Sequence, residues 1–145
     1  MRATGRALVL GVALLSLASS HAGAGDAYTL HVPSRAIRVV DGDTVAVGKR
    51  KVRLLEIDAP EVSEPRCAAE ATLGRAAKQW LADRIKGASS TRILLSGDHD
   101  RYGRALGRLF VDGHDAGELM LRAGLAIEWK PGRAAWQQRQ RHWCG

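Results

Sequence analysis

The stretch AIRVVDGDTVAVGKRKVRLLEIDAPE, residues 36–61, decides the fold, because short runs of strand-forming residues alternate there with turn signals. Asp41-Gly42 is typical of a tight hairpin turn, and the segment 48–51 is a basic turn that begins with glycine. The runs beside these turns predict three consecutive strands, Ala36–Val40, Thr44–Val47 and Val52–Ile57. This part of the chain is therefore expected to form a small antiparallel sheet.

Beyond the third strand, the spacing of the apolar residues changes to that of a helix. From Leu73 to Ile85 they recur at steps of three and four, which predicts an amphipathic helix over Cys67–Lys86. The remaining elements are predicted to be strands Ile93–Leu95 and Leu106–Val111, a short helix from Asp115 and a last helix over Arg133–Trp143. This order predicts an α+β fold, a five-stranded OB-type β-barrel with two or three packed α-helices. A Greek-key sandwich is the alternative, although the strand count is low for one.

The first 24 residues have the features of a signal peptide. Arg2 and Arg6 form a basic start, ALVLGVALLSL (7–17) is a short apolar run, and Ala22-Gly23-Ala24 offers an A-x-A cleavage site. The run is shorter than the ~20 apolar residues that a membrane span needs. We therefore expect residues 1–24 to be removed on export. Residues 25–145 would remain as one domain, a secreted or periplasmic monomer without a membrane anchor.

The charge and the cysteines add two further expectations. The formal net charge is +7, and +5 once Arg2 and Arg6 are removed, so an exported protein of this kind is expected to meet a polyanion, either nucleic acid or an anionic cell-surface polymer. Cys67 and Cys144 most simply form one disulfide in an oxidising compartment, which is worth about 4 kcal/mol in the chain-entropy model. Two free thiols are the alternative.

Four acids lie close to the ends of the predicted strands. Asp41 and Asp43 flank Gly42, and Asp58 and Glu61 follow the third strand. Carboxylates together with a backbone carbonyl at the Ala59-Pro60 corner are ligands that a hard cation such as calcium prefers. Solvated turns are the alternative, and Asp41 in particular is expected only to form its turn.

Two arginines could act together with these acids. Arg53 interrupts an apolar strand, and Arg104 precedes another strand. Guanidinium groups bind phosphate oxygens in bidentate fashion, so acids that hold a metal beside two arginines suit phosphodiester hydrolysis. The alternatives are an Arg53 that reaches solvent and an Arg104 that pairs with Asp100. A regular pleat would also put Arg53 and Asp58, five residues apart, on opposite faces, so the strand must bend or end between them.

Three motifs in register carry a resemblance to a known family. VDGDTV (40–45), VRLLEIDAPE (52–61) and DRYGRALGRLFVDG (100–113) resemble the staphylococcal (thermo)nuclease family of secreted calcium-dependent nucleases. The resemblance extends from about Ala36 to Pro131 and implies that the domain of residues 25–145 is an OB barrel with packed helices that binds one calcium ion per chain. The roles that it implies are calcium ligation by Asp43, Asp58 and the Ala59 carbonyl, water activation by Glu61, phosphate binding by Arg53 and Arg104, and nucleotide contacts from Arg101 and Tyr102.

The predicted function is therefore an exported calcium-dependent nuclease that cuts DNA and RNA with little sequence preference. Trp129 is expected to stack on a base, or else to pack over the barrel. Trp136 and Trp143 are expected to anchor the C-terminal segment, and Arg139 to supply only diffuse attraction. The alternatives are a non-catalytic nucleic-acid-binding OB module, which would lack the acids or the arginines, and a basic structural protein of the cell envelope.

Overall fold

The computed structural model describes residues 26–145, so the predicted signal peptide and its cleavage site lie outside the described residues. A short 3-10 helix, Ser34–Ala36, follows the first strand. The other elements, in chain order, are β1 (Tyr28–His31), β2 (Ile37–Asp41), β3 (Thr44–Val47), β4 (Arg50–Leu54), β5 (Ile57–Asp58), α1 (Ala68–Lys86), β6 (Thr91–His99), β7 (Ala105–Val111), β8 (His114–Asp115), α2 (Ala116–Arg122), β9 (Ile127–Glu128) and α3 (Arg133–Cys144).

Five strands of the main sheet have the order and directions of an OB-fold. β2, β3, β4, β7 and β6 lie side by side in that order, and all neighbours are antiparallel except β4 and β7, which run parallel. This is the partly open Greek-key arrangement of the OB type. Alternating residues of these strands, among them Val45, Val52, Ile93 and Leu109, are fully buried in one core. The predicted α+β, OB-type fold is confirmed.

Two of the differences from the predicted strands concern β1 and β6. Tyr28–His31, which was not predicted, pairs with β6 as an additional edge strand. β6 itself covers nine residues instead of Ile93–Leu95, because its polar end continues to pair with β7 as far as His99. Polar residues at the end of a strand carry no apolar alternation, so the pattern alone ends the strand too early.

Helix α1 has nearly the predicted length, and the second half of its predicted apolar stripe faces the core. Its buried residues include Gly74, Ala77, Leu81 and Ile85, whereas Leu73 is exposed. The helix lies against β2 and contacts the C-terminal helix α3. Helix α2 begins where the Asp115 carboxylate accepts hydrogen bonds from the backbone N–H groups of Gly117 and Glu118, as the sequence predicted for this position.

A disulfide joins Cys67, at the start of α1, to Cys144, at the end of α3. Trp143 beside it is buried, whereas Trp136, two helical turns earlier, is 41% exposed. The expectation that tryptophans anchor α3 therefore holds for Trp143 but not for Trp136. Within residues 26–145, no helix combines the length and the apolar composition that crossing a membrane requires.

Candidate active site

The third predicted strand is broken, and the break brings Arg53 and Asp58 together. β4 ends at Leu54, Glu56 adopts a left-handed conformation with φ of 65°, and β5 starts at Ile57. Arg53 Nη2 donates to the Ile57 carbonyl at 3.3 Å and lies 3.2 Å from Asp58 Oδ1. The break therefore removes the alternation that would put the two side chains on opposite faces.

Asp43 reaches the same guanidinium from the neighbouring hairpin. Its Oδ2 lies 2.5 Å from Arg53 Nη1 and accepts a hydrogen bond from Ala59 N at 3.1 Å. Its Oδ1 accepts from the Thr44 hydroxyl at 3.0 Å. The carboxylate is 6% exposed, so it needs these donors. Gly42 makes this approach possible, because a Cβ atom there would lie 2.6 Å from Ala59 Cβ.

Asp41 belongs to this group of acids as well, which the sequence analysis did not predict. Its Oδ1 does form the expected turn by accepting from Asp43 N at 3.2 Å. Burial raises the pKa of Asp41 to about 7, and the negative charges of Asp43 and Glu61 add to the rise. Describing Asp41 only as a turn former is therefore incomplete, because its side chain lies within the electrostatic field of the other acids.

The remaining two acids experience the same mutual repulsion. Burial raises the pKa of Asp58, and Asp43 raises it further, while Arg139 and Arg53 oppose the change. Partial withdrawal from water likewise raises the pKa of Glu61, and the charges of Asp43 and Asp58 contribute. Burial and the neighbouring acids thus act together to favour the neutral form of both carboxyl groups.

Glu61 is held in place by the start of α1. Its backbone N–H lies 3.4 Å from Oε1 of Glu70, a carboxylate that is 1% exposed and also accepts from Arg66 N at 2.7 Å. The helix can approach this closely because residue 74 is glycine, where a Cβ atom would lie 2.5 Å from the Glu61 carbonyl oxygen. The buried Glu70 gave no signal in the sequence, since it looks like an ordinary residue of a helical first turn.

Arg104 and Tyr102 come from the loop between β6 and β7. Arg104 Nε lies 2.6 Å from Asp100 Oδ2, and its Nη1 approaches the Thr44 hydroxyl at 3.5 Å, so this arginine reaches toward the Asp43 hairpin. The pairing of Arg104 with Asp100, given above as the alternative to a role in the site, does exist. It is compatible with such a role, because the guanidinium also reaches Thr44 beside Asp43. Tyr102 is 68% exposed, with Arg101 and Arg104 beside its ring.

Most of these side chains line one cleft of about 720 Å³, to which Asp41, Asp43 and Thr44 do not contribute, and Trp129 lines it as well. Its other wall is helix α3, which contributes Arg133, Trp136 and Arg139. Arg139 Nε lies 3.1 Å from Asp58 Oδ2, and its side chain is 14% exposed. The expectation of a purely diffuse role for Arg139 is therefore wrong. Its contact could not be seen in the sequence, because it depends on how α3 docks.

The donor set fits a hard divalent cation. Asp43 and Asp58 contact the same guanidinium, that of Arg53, and their carboxylates offer oxygen ligands without a competing imidazole or thiolate. Burial, and after it the charges of neighbouring acids, raise the pKa values of Asp41, Asp58 and Glu61, and a bound cation would favour their ionised forms. Asp43, Asp58 and the Ala59 carbonyl remain the residues that could hold it.

Comparison with known proteins agrees with the fold and the motifs. The sequence model of the staphylococcal nuclease homologue family matches residues 51–142. The chain is 33% identical over 102 residues to the probable staphylococcal-like nuclease CAN1 of Oryza sativa subsp. japonica, covering 67% of this chain and 28% of the other. It is 34% identical over 94 residues to the endonuclease YncB of Bacillus subtilis (strain 168), covering 61% and 44%. The succinoglycan biosynthesis protein ExoI of Rhizobium meliloti (strain 1021) is 32% identical over 94 residues, covering 62% and 49%.

The chain spans less than half the length of these curated relatives. The matched family segment nevertheless covers most of the described chain and contains the break after β4, the loop before β7 and most of α3. The chain belongs to the staphylococcal nuclease homologue family.

Proposed function

We propose that the protein is an exported, calcium-dependent nuclease that hydrolyses phosphodiester bonds of DNA and RNA with little sequence preference. The observation that carries the proposal is the sharing of one guanidinium, that of Arg53, by Asp43 and Asp58. Glu61 and Arg104 line the same cleft. Membership of the family, and the nuclease names of two relatives, support the same chemistry.

In this proposal Asp43, Asp58 and the Ala59 carbonyl hold one calcium ion. A bound calcium ion supplies Lewis-acid stabilisation of the charge that develops on the phosphate oxygens. Calcium accepts six to eight oxygen ligands with flexible geometry, so three protein ligands leave positions for water and substrate. The protein's contribution is to hold both carboxylates against the Arg53 guanidinium, with that of Asp43 also bound to the backbone N–H of Ala59.

The chain's own groups bind the phosphate and move the proton. Arg53 and Arg104 donate hydrogen bonds to the phosphate oxygens, where they offset negative charge as the pentacoordinate centre forms. Glu61 accepts the proton of the attacking water, and its raised pKa makes it a better base near neutral pH than an ordinary glutamate. As the water oxygen bonds to phosphorus, the bond from phosphorus to the 5′ oxygen breaks, and the leaving oxygen takes a proton from solvent. The Glu70 contact with the Glu61 backbone supports the position of this carboxylate.

Nucleotide binding is assigned to the aromatic and basic residues at the edge of the cleft. Tyr102 and Trp129 are exposed there, and Arg101 lies beside Tyr102. Exposed aromatic rings stack on bases of any sequence, which fits a nuclease with little sequence preference. The net positive charge adds diffuse attraction for the polyanion.

Export through the predicted signal peptide would deliver a monomeric enzyme to the periplasm or the medium. The Cys67–Cys144 disulfide supports this location, because structural disulfides persist in oxidising compartments.

The test is digestion of single-stranded DNA and of RNA by the purified protein, with calcium or with EDTA. The proposal predicts degradation of both polymers with calcium and none with EDTA. Binding without degradation in either condition would instead support a non-catalytic nucleic-acid-binding module. Absence of any interaction would contradict both functions.

A further inference from the structure

Exposed aromatic residues are concentrated in the cleft. Among the described residues, the large hydrophobic side chains that are exposed are Tyr28, Leu73, Tyr102, Trp129 and Trp136. The last three of these line the cleft that contains Arg53 and Glu61. Tyr102 and Trp129 belong to the nucleotide contacts proposed above, which leaves Trp136 without a role.

Contacts other than those of Trp136 hold the end of α3 on the body of the protein. The C-terminal end of that helix is fixed by the disulfide and by Trp143, which is 4% exposed. Trp136, seven residues earlier on the same helix, is 41% exposed. An exposed tryptophan at the wall of a cleft keeps a large apolar face in water, which is unfavourable unless a ligand covers it.

An arginine guanidinium lies beside the ring of Trp136, and two lie beside the ring of Tyr102. The guanidinium carbon of Arg66 lies 5.4 Å from the Trp136 ring centroid, and Arg101 and Arg104 lie 4.8 and 5.4 Å from the Tyr102 ring. Arg66 is itself oriented by Glu70, whose Oε1 lies 3.1 Å from Arg66 Nη1. The cleft thus presents two aromatic rings, each with a guanidinium beside it.

We propose that Trp136, with Arg66 and Arg133, forms a second base-stacking subsite in the cleft, in addition to Tyr102 and Trp129, and that this subsite favours a single strand over a duplex. This inference rests on the proposed function, in that the cleft must bind nucleic acid. Rings that alternate with cations along a groove are the means by which proteins hold single strands without reading their sequence. A duplex keeps its bases stacked on one another, so its contacts would be limited to the phosphate backbone.

Trp136 is then a determinant of the preference for a single strand over a duplex. A base that stacks on Trp136 places its phosphate beside Arg66 or Arg133, and the strand then passes Arg53 and Arg104 toward Trp129. Both ends of this path are fixed to the body of the protein, one by the strands and one by the disulfide-linked helix.

The test measures binding without cleavage, in EDTA, by fluorescence anisotropy of a labelled thymidine oligonucleotide of about 12 residues, a length within the range of OB-fold site sizes. The same strand in a duplex is measured beside it, and gels verify that both remain intact. Trp136→Leu should weaken single-strand binding roughly 5- to 150-fold, which corresponds to 1–3 kcal/mol for one stacked base, and leave duplex binding unchanged. Trp136→Phe, which keeps an aromatic face, should restore most of the affinity.

The matched control is Tyr28→Leu. Tyr28 is 44% exposed and accepts a hydrogen bond from Arg50, but it does not line the cleft, so neither affinity should change. Equal single-strand affinity of Trp136→Leu and the wild type would overturn the inference, as would equal losses for single strand and duplex. Calcium-dependent cleavage by the wild type, assayed separately, distinguishes failure of this subsite from failure of the proposed catalysis.

Discussion

Arg139, in the last helix, places its Nε 3.1 Å from Oδ2 of Asp58, in the strand segment that follows β4. Arg53 holds the other oxygen of the same carboxylate at 3.2 Å. Arg139 Nη1 also donates to the Lys130 carbonyl at 2.9 Å, so the arginine is fixed at both ends of its guanidinium. The C-terminal helix therefore completes the surroundings of an acid that β5 presents.

Replacing Arg139 should destabilise the protein measurably. Arg139→Gln removes a charge-assisted contact and leaves a partly buried carboxylate with one donor fewer, so we expect the free energy of unfolding to fall by about 1.5–3 kcal/mol. Urea denaturation without metal measures this. Arg141→Gln removes the same charge from an exposed position of the same helix and should change the free energy by less than about 0.5 kcal/mol. Equal effects of the two substitutions would mean that the Arg139 contact contributes nothing.

Glu61→Gln should lower kcat by about 100- to 10,000-fold while KM and the melting temperature stay near those of the wild type, because a proton acceptor is lost without a change of shape. Steady-state hydrolysis of single-stranded DNA with calcium gives both constants. Glu64→Gln, at an exposed position three residues later in the same loop, is the control and should retain full activity. A wild-type kcat in Glu61→Gln would remove Glu61 from the mechanism.

Arg104→Ala should reduce kcat by about 100- to 1,000-fold, the effect of removing one donor from developing transition-state charge. Arg141→Ala takes away an equal charge outside the cleft and should weaken binding only slightly, in a salt-dependent way. Comparable losses in both variants would identify Arg104 as one more basic surface group. Arg104→Lys should restore little, since an ammonium cannot reproduce the fork that Asp100 orients.

Removing the disulfide should affect both stability and the cleft. Cys67→Ser with Cys144→Ser opens a loop with a sequence separation of 77, and we expect the free energy of unfolding to fall by about 4 kcal/mol. Because α3 carries Trp136 and Arg139, affinity for a single strand should fall as well, even where the domain remains folded. Reduction of the wild type with dithiothreitol should have the same effect. Thermal unfolding measures the loss of stability, and fluorescence anisotropy measures the loss of single-strand affinity. Unchanged stability after verified reduction would contradict the structural role.

The order of the elements could be predicted from the sequence because it depends on local patterns. β-Branched runs around Asp41-Gly42 give the hairpin, and steps of three and four give α1. What the pattern missed depends on the backbone or on long-range docking. Glu56 adopts a left-handed conformation without the glycine that normally signals one. The sequence therefore indicates that the strand must break between Arg53 and Asp58, but not at which residue.

The candidate site, too, contains residues that the sequence could indicate and residues that it could not. Asp43, Asp58 and Arg53 could be named because hairpin neighbours are close in sequence, and the structure brings them together. Glu70 and Arg139 could not, since a buried carboxylate and a helix-borne arginine show no local signature. Their contacts exist only once α1 and α3 have packed on the sheet.

The most direct test of the account is isothermal titration of calcium into the metal-free protein, without nucleic acid. The account predicts one calcium ion per chain in the wild type and affinity reduced roughly tenfold or more in Asp58→Asn, which removes one ligand charge. Asp98→Asn, at an exposed position outside the cleft, should bind calcium like the wild type. Calcium binding of equal affinity in Asp58→Asn, or DNA cleavage that persists in EDTA, would contradict the claim that these carboxylates form a metal-assisted hydrolytic site.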